Sequence, residues 1–283
     1  MEAGSELQPG QQQQHKQQFS SIPLVKFKTA FEELCKKHEL LNCGIEEIDS
    51  ILKLRLGDRL AIIGHQKYTQ TIITRLCINA LLLASPSSKN NSRFFYTSNV
   101  ILVDAGNSTD FYQHVNFARQ YCRRDVINRV LNSTIITRPF TVYQLEDIVI
   151  NQLPKAIQQY GAKMLVVSDL LNMFIRDPQI EANEARYLIN GIVDSITKSR
   201  ALEDVLVVVS LTYEYGGAYH HSYKLFMPYN KTIFPSFDKC IEIINGKDKE
   251  KNKMIDMKVR NNSEGIKNTT NNFYNGNLLL SIN

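Results

Sequence analysis

The chain has 283 residues, 43% of them hydrophobic and 22% charged, enough for one large soluble domain with a substantial core and unlike a disordered or fibrous chain. A formal net charge of +5 permits a polyanionic partner without requiring one. The five cysteines (Cys35, Cys43, Cys77, Cys122 and Cys240) contain no CxxC pair, which argues against a zinc site or a disulfide framework and for a reducing compartment. No apolar run approaches the roughly 20 residues needed to cross a bilayer.

Residues 1–20 are rich in glutamine and poor in apolar side chains, so they are expected to stay disordered, as a tail. Their order of residues is not the basic-then-apolar order of a signal peptide, and a cytoplasmic location is expected. Residues 21–44 read as a linker carrying a short extended piece and a helix, with Thr29 as its cap. From residue 45 to residue 283 the pattern is that of one folded core.

Within the core, "LAIIG" is a continuous apolar run ending at Gly64, as expected of a strand buried on both faces. A loop of a few residues is expected next. Then comes a helix with Ile72, Ile73, Leu76, Cys77, Ala80 and Leu81 at helical spacing. "NVILVDAG" reads as the second strand, "DFYQHVNFARQYCRR" as a helix and "STIITRP" as the third strand. The helix over "TVYQLEDIVINQLPKAIQQYG" should be kinked or broken near Pro154. "KMLVVSDLL" is the fourth strand. Ala185, Leu188, Ile189, Ile192, Val193 and Ile196 then form the apolar stripe of a helix, and "DVLVVVSLT" is the fifth strand. Residues 213–237 read as a long loop, "KCIEIINGKDKEKNKMIDMKVR" as a hairpin and "NLLLSIN" as a last strand.

This alternation implies an α/β fold: a mostly parallel central sheet with helices on both faces and a C-terminal β-hairpin extension. Ligands of such sheets bind beyond the carboxyl ends of the strands, where Gly64, Asp104, Ser168, Asp169 and Ser210 fall.

The stretch "GHQKYTQT" occupies the place of a phosphate-binding loop, GxxxxGK[ST]. Gly64 and Thr71 hold their positions. Thr69 replaces the second glycine, and Gln70 replaces the lysine that would neutralise a triphosphate. Lys67, three residues early, is a candidate to reach back toward it. These four residues (Gly64, Lys67, Gln70, Thr71) mark a degenerate site at which ATP with magnesium is at most a weak or vestigial ligand. No metal site is otherwise expected, because His220-His221 has no third ligand.

The order and spacing of "FKTAFEELCKKHELLNCGIEEIDSIL", the degenerate loop, "NVILVDAGN", "AKMLVVSDLLNMFIRD" and "VLVVVSLT" resemble the segments of the RecA/RadA recombinase superfamily, from about Phe27 to the C-terminus. The resemblance implies a RecA-like P-loop NTPase core whose catalytic positions have been lost. Where the family has a water-activating glutamate, this chain has Asp104-Ala105-Gly106-Asn107, and no glutamate occurs between Glu47 and Glu146. The aspartate that positions magnesium is replaced by Ser168, with Asp169 one residue later; in a strand that shift turns the side chain to the other face. Leu211-Thr212 stands where an Asn-Gln pair senses the γ-phosphate.

By the same resemblance, Phe27 and Ala30 match the family's Phe-x-x-Ala docking motif, in which the phenylalanine enters a pocket on a neighbouring recombinase subunit. Two loops correspond to DNA-binding loops. The first carries Arg176. The second, 213–237, interleaves Tyr215, Tyr219 and Tyr223 with Lys224 and Lys231, a pattern suited to stacking and neutralising a single strand. The implied function is a non-hydrolysing adaptor in recombinational DNA repair, binding a RadA-type recombinase and single-stranded DNA, with no membrane partner. Two other readings stay open: a divergent, active DNA-dependent ATPase using Lys67 with Asp104 or Asp169, and a signalling or scaffold protein without DNA contact.

Overall fold

The structure, a computed structural model, describes residues 41–83, 99–121, 124–212, 233–245, 255–261 and 269–273. In chain order these form α1 (Glu46–Leu52), β1 (Arg59–Gly64), α2 (Gln66–Leu83), β2 (Asn99–Asp104), α3 (Phe111–Tyr121), α4 (Arg124–Asn132) and β3 (Thr134–Thr137). After these come α5 (Val142–Asp147), a π-helical turn (Ile148–Gln152), α6 (Leu153–Tyr160), β4 (Ala162–Ser168), α7 (Asn172–Arg176), α8 (Ala182–Lys198) and β5 (Leu206–Thr212). Strands β6 (Lys239–Asn245), β7 (Ile255–Asn261) and β8 (Thr269–Phe273) complete the described residues.

All eight strands join one sheet in the order β3-β2-β4-β5-β1-β6-β7-β8. Strands β1 to β6 pair in parallel, and β7 and β8 are added antiparallel. Alternate residues of a strand face opposite sides, and here both sides are buried. Ala61, Ile63, Val103, Val167 and Val209 join a core beneath α5, α6 and α8, which supply Val142, Leu145, Ile157, Leu188 and Ile192. Leu60, Ile62, Leu102, Val166 and Val208 join the opposite core, beneath α1 and α2, with Ile48, Ile73 and Leu76. The apolar runs of the central strands thus have a direct cause: neither face meets water.

The helix over residues 142–160 is interrupted as expected. Pro154 has no N–H to offer the carbonyl four residues back. One residue earlier, Leu153 donates to the carbonyl of Ile148, five residues back, which widens the turn. The packed body reaches back to Leu41, before residue 45. Leu41 pairs with Leu54, Leu41 and Cys43 are buried, and Asp49 accepts from the N–H groups of Cys43 (2.8 Å) and Ile45 (3.0 Å).

Three local expectations are corrected. The loop of a few residues after β1 is the single residue His65, because α2 begins at Gln66. Arg176 lies in the last turn of α7, not in an open loop. A strand also forms over Thr269–Phe273, whose polar sequence carries no alternating apolar signal and is ordered by pairing with β7. "NLLLSIN" lies outside the described residues, as do residues 1–40 and nearly all of the 213–237 loop.

Candidate functional site

The parallel strands β1, β2, β3, β4 and β5 bring Gly64, Asp104, Thr137, Ser168 and Thr212 to one edge of the sheet. At the phosphate-loop position the backbone is already committed. The N–H groups of Tyr68 and Thr69 donate to the His65 carbonyl (3.0 and 3.1 Å), and that of Lys67 donates to His65 Nδ1 (3.3 Å). A nest for a phosphate needs successive N–H groups turned outward and unpaired; these are turned into the start of α2. The cause is local. Gln66, Lys67 and Gln70 are good helix formers, and Thr69 stands where a glycine would hold an open loop.

The four residues of the degenerate site have separate occupations. Gly64 lets β6 pass closely: a Cβ there would lie 2.6 Å from Ile243 Cβ. Lys67 is exposed. Buried Gln70 donates through Nε2 to Ser108 Oγ at 3.0 Å. The Thr71 hydroxyl donates to the Lys67 carbonyl of its own helix at 2.8 Å.

Asp104, fully buried at the end of β2, accepts four hydrogen bonds. Its Oδ1 takes the Ser108 N–H and the Ser168 hydroxyl (both 3.0 Å), and its Oδ2 takes the Thr109 N–H (3.2 Å) and Arg138 Nε (3.1 Å). The guanidinium of Arg138 also lies 5.5 Å from the centre of the Phe111 ring and donates to the Thr109 carbonyl. Charge-assisted bonds of this kind hold the carboxylate as a tie between the ends of β2 and β4 and the segment after β3.

Asp169 does not simply turn to the opposite face. It lies one residue beyond β4 with φ of 57°, outside the extended alternation. Its N–H donates to Ser210 Oγ (2.8 Å), and its carboxylate accepts from both the hydroxyl and the N–H of Thr212. Burial pushes the carboxyl up to about 6, against the pull of the Thr212 hydrogen bonds and the Arg176 charge. Gly106 is shaped to this group, since a Cβ there would stand 2.5 Å from Asp169 Oδ2.

Beside these ties opens a cavity of about 450 Å³ whose wall includes Asn107, Arg138, Phe140, Asn172, Met173 and Arg176. Phe140 is 86% exposed. Its N–H donates to Gln144 Oε1 (2.8 Å), while the Thr141 hydroxyl caps α5 by accepting from the Gln144 N–H (3.2 Å). This exchange resembles a capping box and fixes the backbone that carries the ring. Of the residues that sequence reasoning marked for nucleic acid, only Arg176 lies among the described residues, and it lines this cavity. Arg138 and Phe140 were missed, although "RPF" follows directly on the carboxyl end of β3, where a ligand site is expected. Phe27, Ala30, Tyr215, Tyr219, Tyr223, Lys224 and Lys231 lie outside the described residues.

Among the described residues no three His, Cys, Asp or Glu side chains group to hold a metal, and no helix is long and apolar enough to cross a membrane. Among the described residues, Cys43 and Cys77 are buried free thiols. Burial pushes the Cys77 thiol up to about 12 and raises that of Cys43 further, so neither is an activated nucleophile.

Fold and site together define an α/β protein with a mostly parallel sheet and a cleft at the carboxyl edge of its strands. No protein-family model matches the chain, and no curated protein matches it either.

Proposed function

We propose that the protein is a non-hydrolysing member of the RecA/RadA superfamily, acting as an adaptor or modulator in recombinational DNA repair. In this reading it docks onto a RadA-type recombinase through Phe27 and Ala30 and holds single-stranded DNA through Arg176 and the tyrosine- and lysine-bearing segment after β5. One observation carries the proposal. A parallel scaffold with a strand–helix unit at the phosphate-loop position is retained, while the N–H groups, amide and hydroxyl that would serve a nucleotide there are committed to α2 and Ser108. Phosphoryl transfer depends on positioned charge and metal, and Gln70 supplies neither.

The environments of Asp104 and Asp169 weigh against the divergent-ATPase reading. Both are buried, and their carboxylates are occupied by Arg138, Ser168 and Thr212. The adaptor reading is tested by capture of a RadA-type recombinase on the immobilised full chain. Phe27→Glu should abolish capture, and unaltered capture would refute docking through this motif. Titration with a fluorescent ATP analogue and magnesium, followed by a phosphate-release assay on the same sample, tests the lack of turnover. Release proportional to protein concentration and lost in Lys67→Ala would favour the ATPase.

A further inference from the structure

We propose that the cavity at the carboxyl ends of β2, β3 and β4 binds one nucleotide unit, an aromatic base bearing a phosphate. The base lies on Phe140 and the phosphate pairs with Arg176. The proposal rests on the single-strand part of the function above and adds a site, distinct from the phosphate-loop position, that receives the unit.

Phe140 is the first ground. A phenylalanine at 86% exposure is uncommon, and this one is not a frayed end: Pro139 precedes it, Gln144 holds its N–H, and Thr141 caps the helix that follows. The backbone therefore presents the ring outward at the mouth of a cavity, as a stacking platform requires. Charge is the second ground. Two guanidinium groups and one carboxylate, Asp177, line the cavity. Arg138 is matched by buried Asp104. The charge of exposed Arg176 acts on buried Asp169, but its guanidinium makes no hydrogen bond or salt bridge to another described residue, so its N–H fork can take an anion. One such fork suits one phosphate rather than a triphosphate. Size is the third: about 450 Å³ lies within the range of small-ligand pockets. The carboxamides of Asn107 and Asn172 add donors and acceptors suited to the polar edge of a base.

The unit can be a free nucleoside monophosphate or one unstacked nucleotide of a single strand. Fluorescence anisotropy on the full chain separates them, with a dye-labelled oligothymidylate as one probe and a fluorescent adenosine monophosphate as the other. Phe140→Ala and Arg176→Gln are each expected to weaken the bound probe by roughly tenfold. Arg176→Gln should also reduce the salt dependence by about one phosphate contact. Both side chains are exposed, so circular dichroism melts should match the parent. Binding of either probe with this sensitivity supports the site, and the probe that binds identifies the source. Strand binding indifferent to both variants overturns the site and leaves the strand-binding function standing; absence of binding by both probes overturns both.

Discussion

Asp169, just past the end of β4, accepts hydrogen bonds from both the hydroxyl and the N–H of Thr212, the last residue of β5. A buried carboxylate thereby joins two neighbouring strands at the sheet edge where the candidate sites lie.

The pH consequence follows from burial. The folded Asp169 carboxyl titrates near 6, above its ordinary value of 3.8, so the fold is penalised when the group is ionised. That penalty is fully present above about pH 6 and is relieved as pH falls toward 3.8. Asp169→Asn keeps an oxygen for Thr212 and removes the charge. It should be more stable than the parent at pH 8, by on the order of 2–3 kcal/mol, and close to the parent at pH 4. Urea unfolding at the two pH values checks this.

His114 acts in the opposite sense. Its ring is buried, with Nδ1 near Thr74 Oγ1 (3.4 Å) and the Asp110 carbonyl (3.3 Å), while Nε2 has no hydrogen-bond partner. Burial lowers its pKa below 6.5, so the unfolded chain takes up the proton first and stability is lost as pH falls from about 6.5. In Asp169→Asn the opposing contribution is gone, and the acid-side loss should steepen. Replacing His114 by Gln in that background should flatten it, as thermal melts between pH 7 and 4 would show.

Gly106 and Gly64 are expected to resist substitution for reasons of space. A Cβ on Gly106 would meet Asp169 Cβ at 2.6 Å, and one on Gly64 would meet Ile243 Cβ at 2.6 Å. Each Gly→Ala change should destabilise by about 1–3 kcal/mol. Gly106→Ala should also disturb the titration of Asp169, which Gly64→Ala should leave alone; denaturation and carboxyl-detected NMR separate the two.

Asp104→Ala would strand the Ser108 and Thr109 N–H groups and the Ser168 hydroxyl and leave Arg138 without its carboxylate. Removing one partner of a buried pair typically costs about 3–5 kcal/mol, and the half-exposed Arg138 side chain should place the loss toward the lower end. Chemical denaturation gives the value.

Rebuilding the motif letters as Thr69→Gly with Gln70→Lys should not create ATP turnover, because α2 would still begin at Gln66 and His65 would still take the following N–H groups. The double variant should instead lose stability, as Lys at position 70 replaces a buried amide bonded to Ser108. Phosphate-release and melting assays on one sample address both expectations.

The amino-acid sequence by itself determined the alternation of strands and helices, the apolar stripes of α2 and α8, the irregular turn ahead of Pro154 and the β6–β7 hairpin. Each is written in a local period of burial or in a residue whose backbone cannot do otherwise. Tertiary structure alone decided the rest. Arg138 reaches Asp104 across 34 residues of chain and Asp169 reaches Thr212 across 43, pairings set by strand order rather than by any local pattern. Gly64 looks like a phosphate-loop residue in the sequence, whereas in the fold it answers to Ile243 on β6. Where β1 hands over to α2 was likewise hidden, since helix propensity and an open loop compete over the same few residues and only the packed backbone shows which prevails.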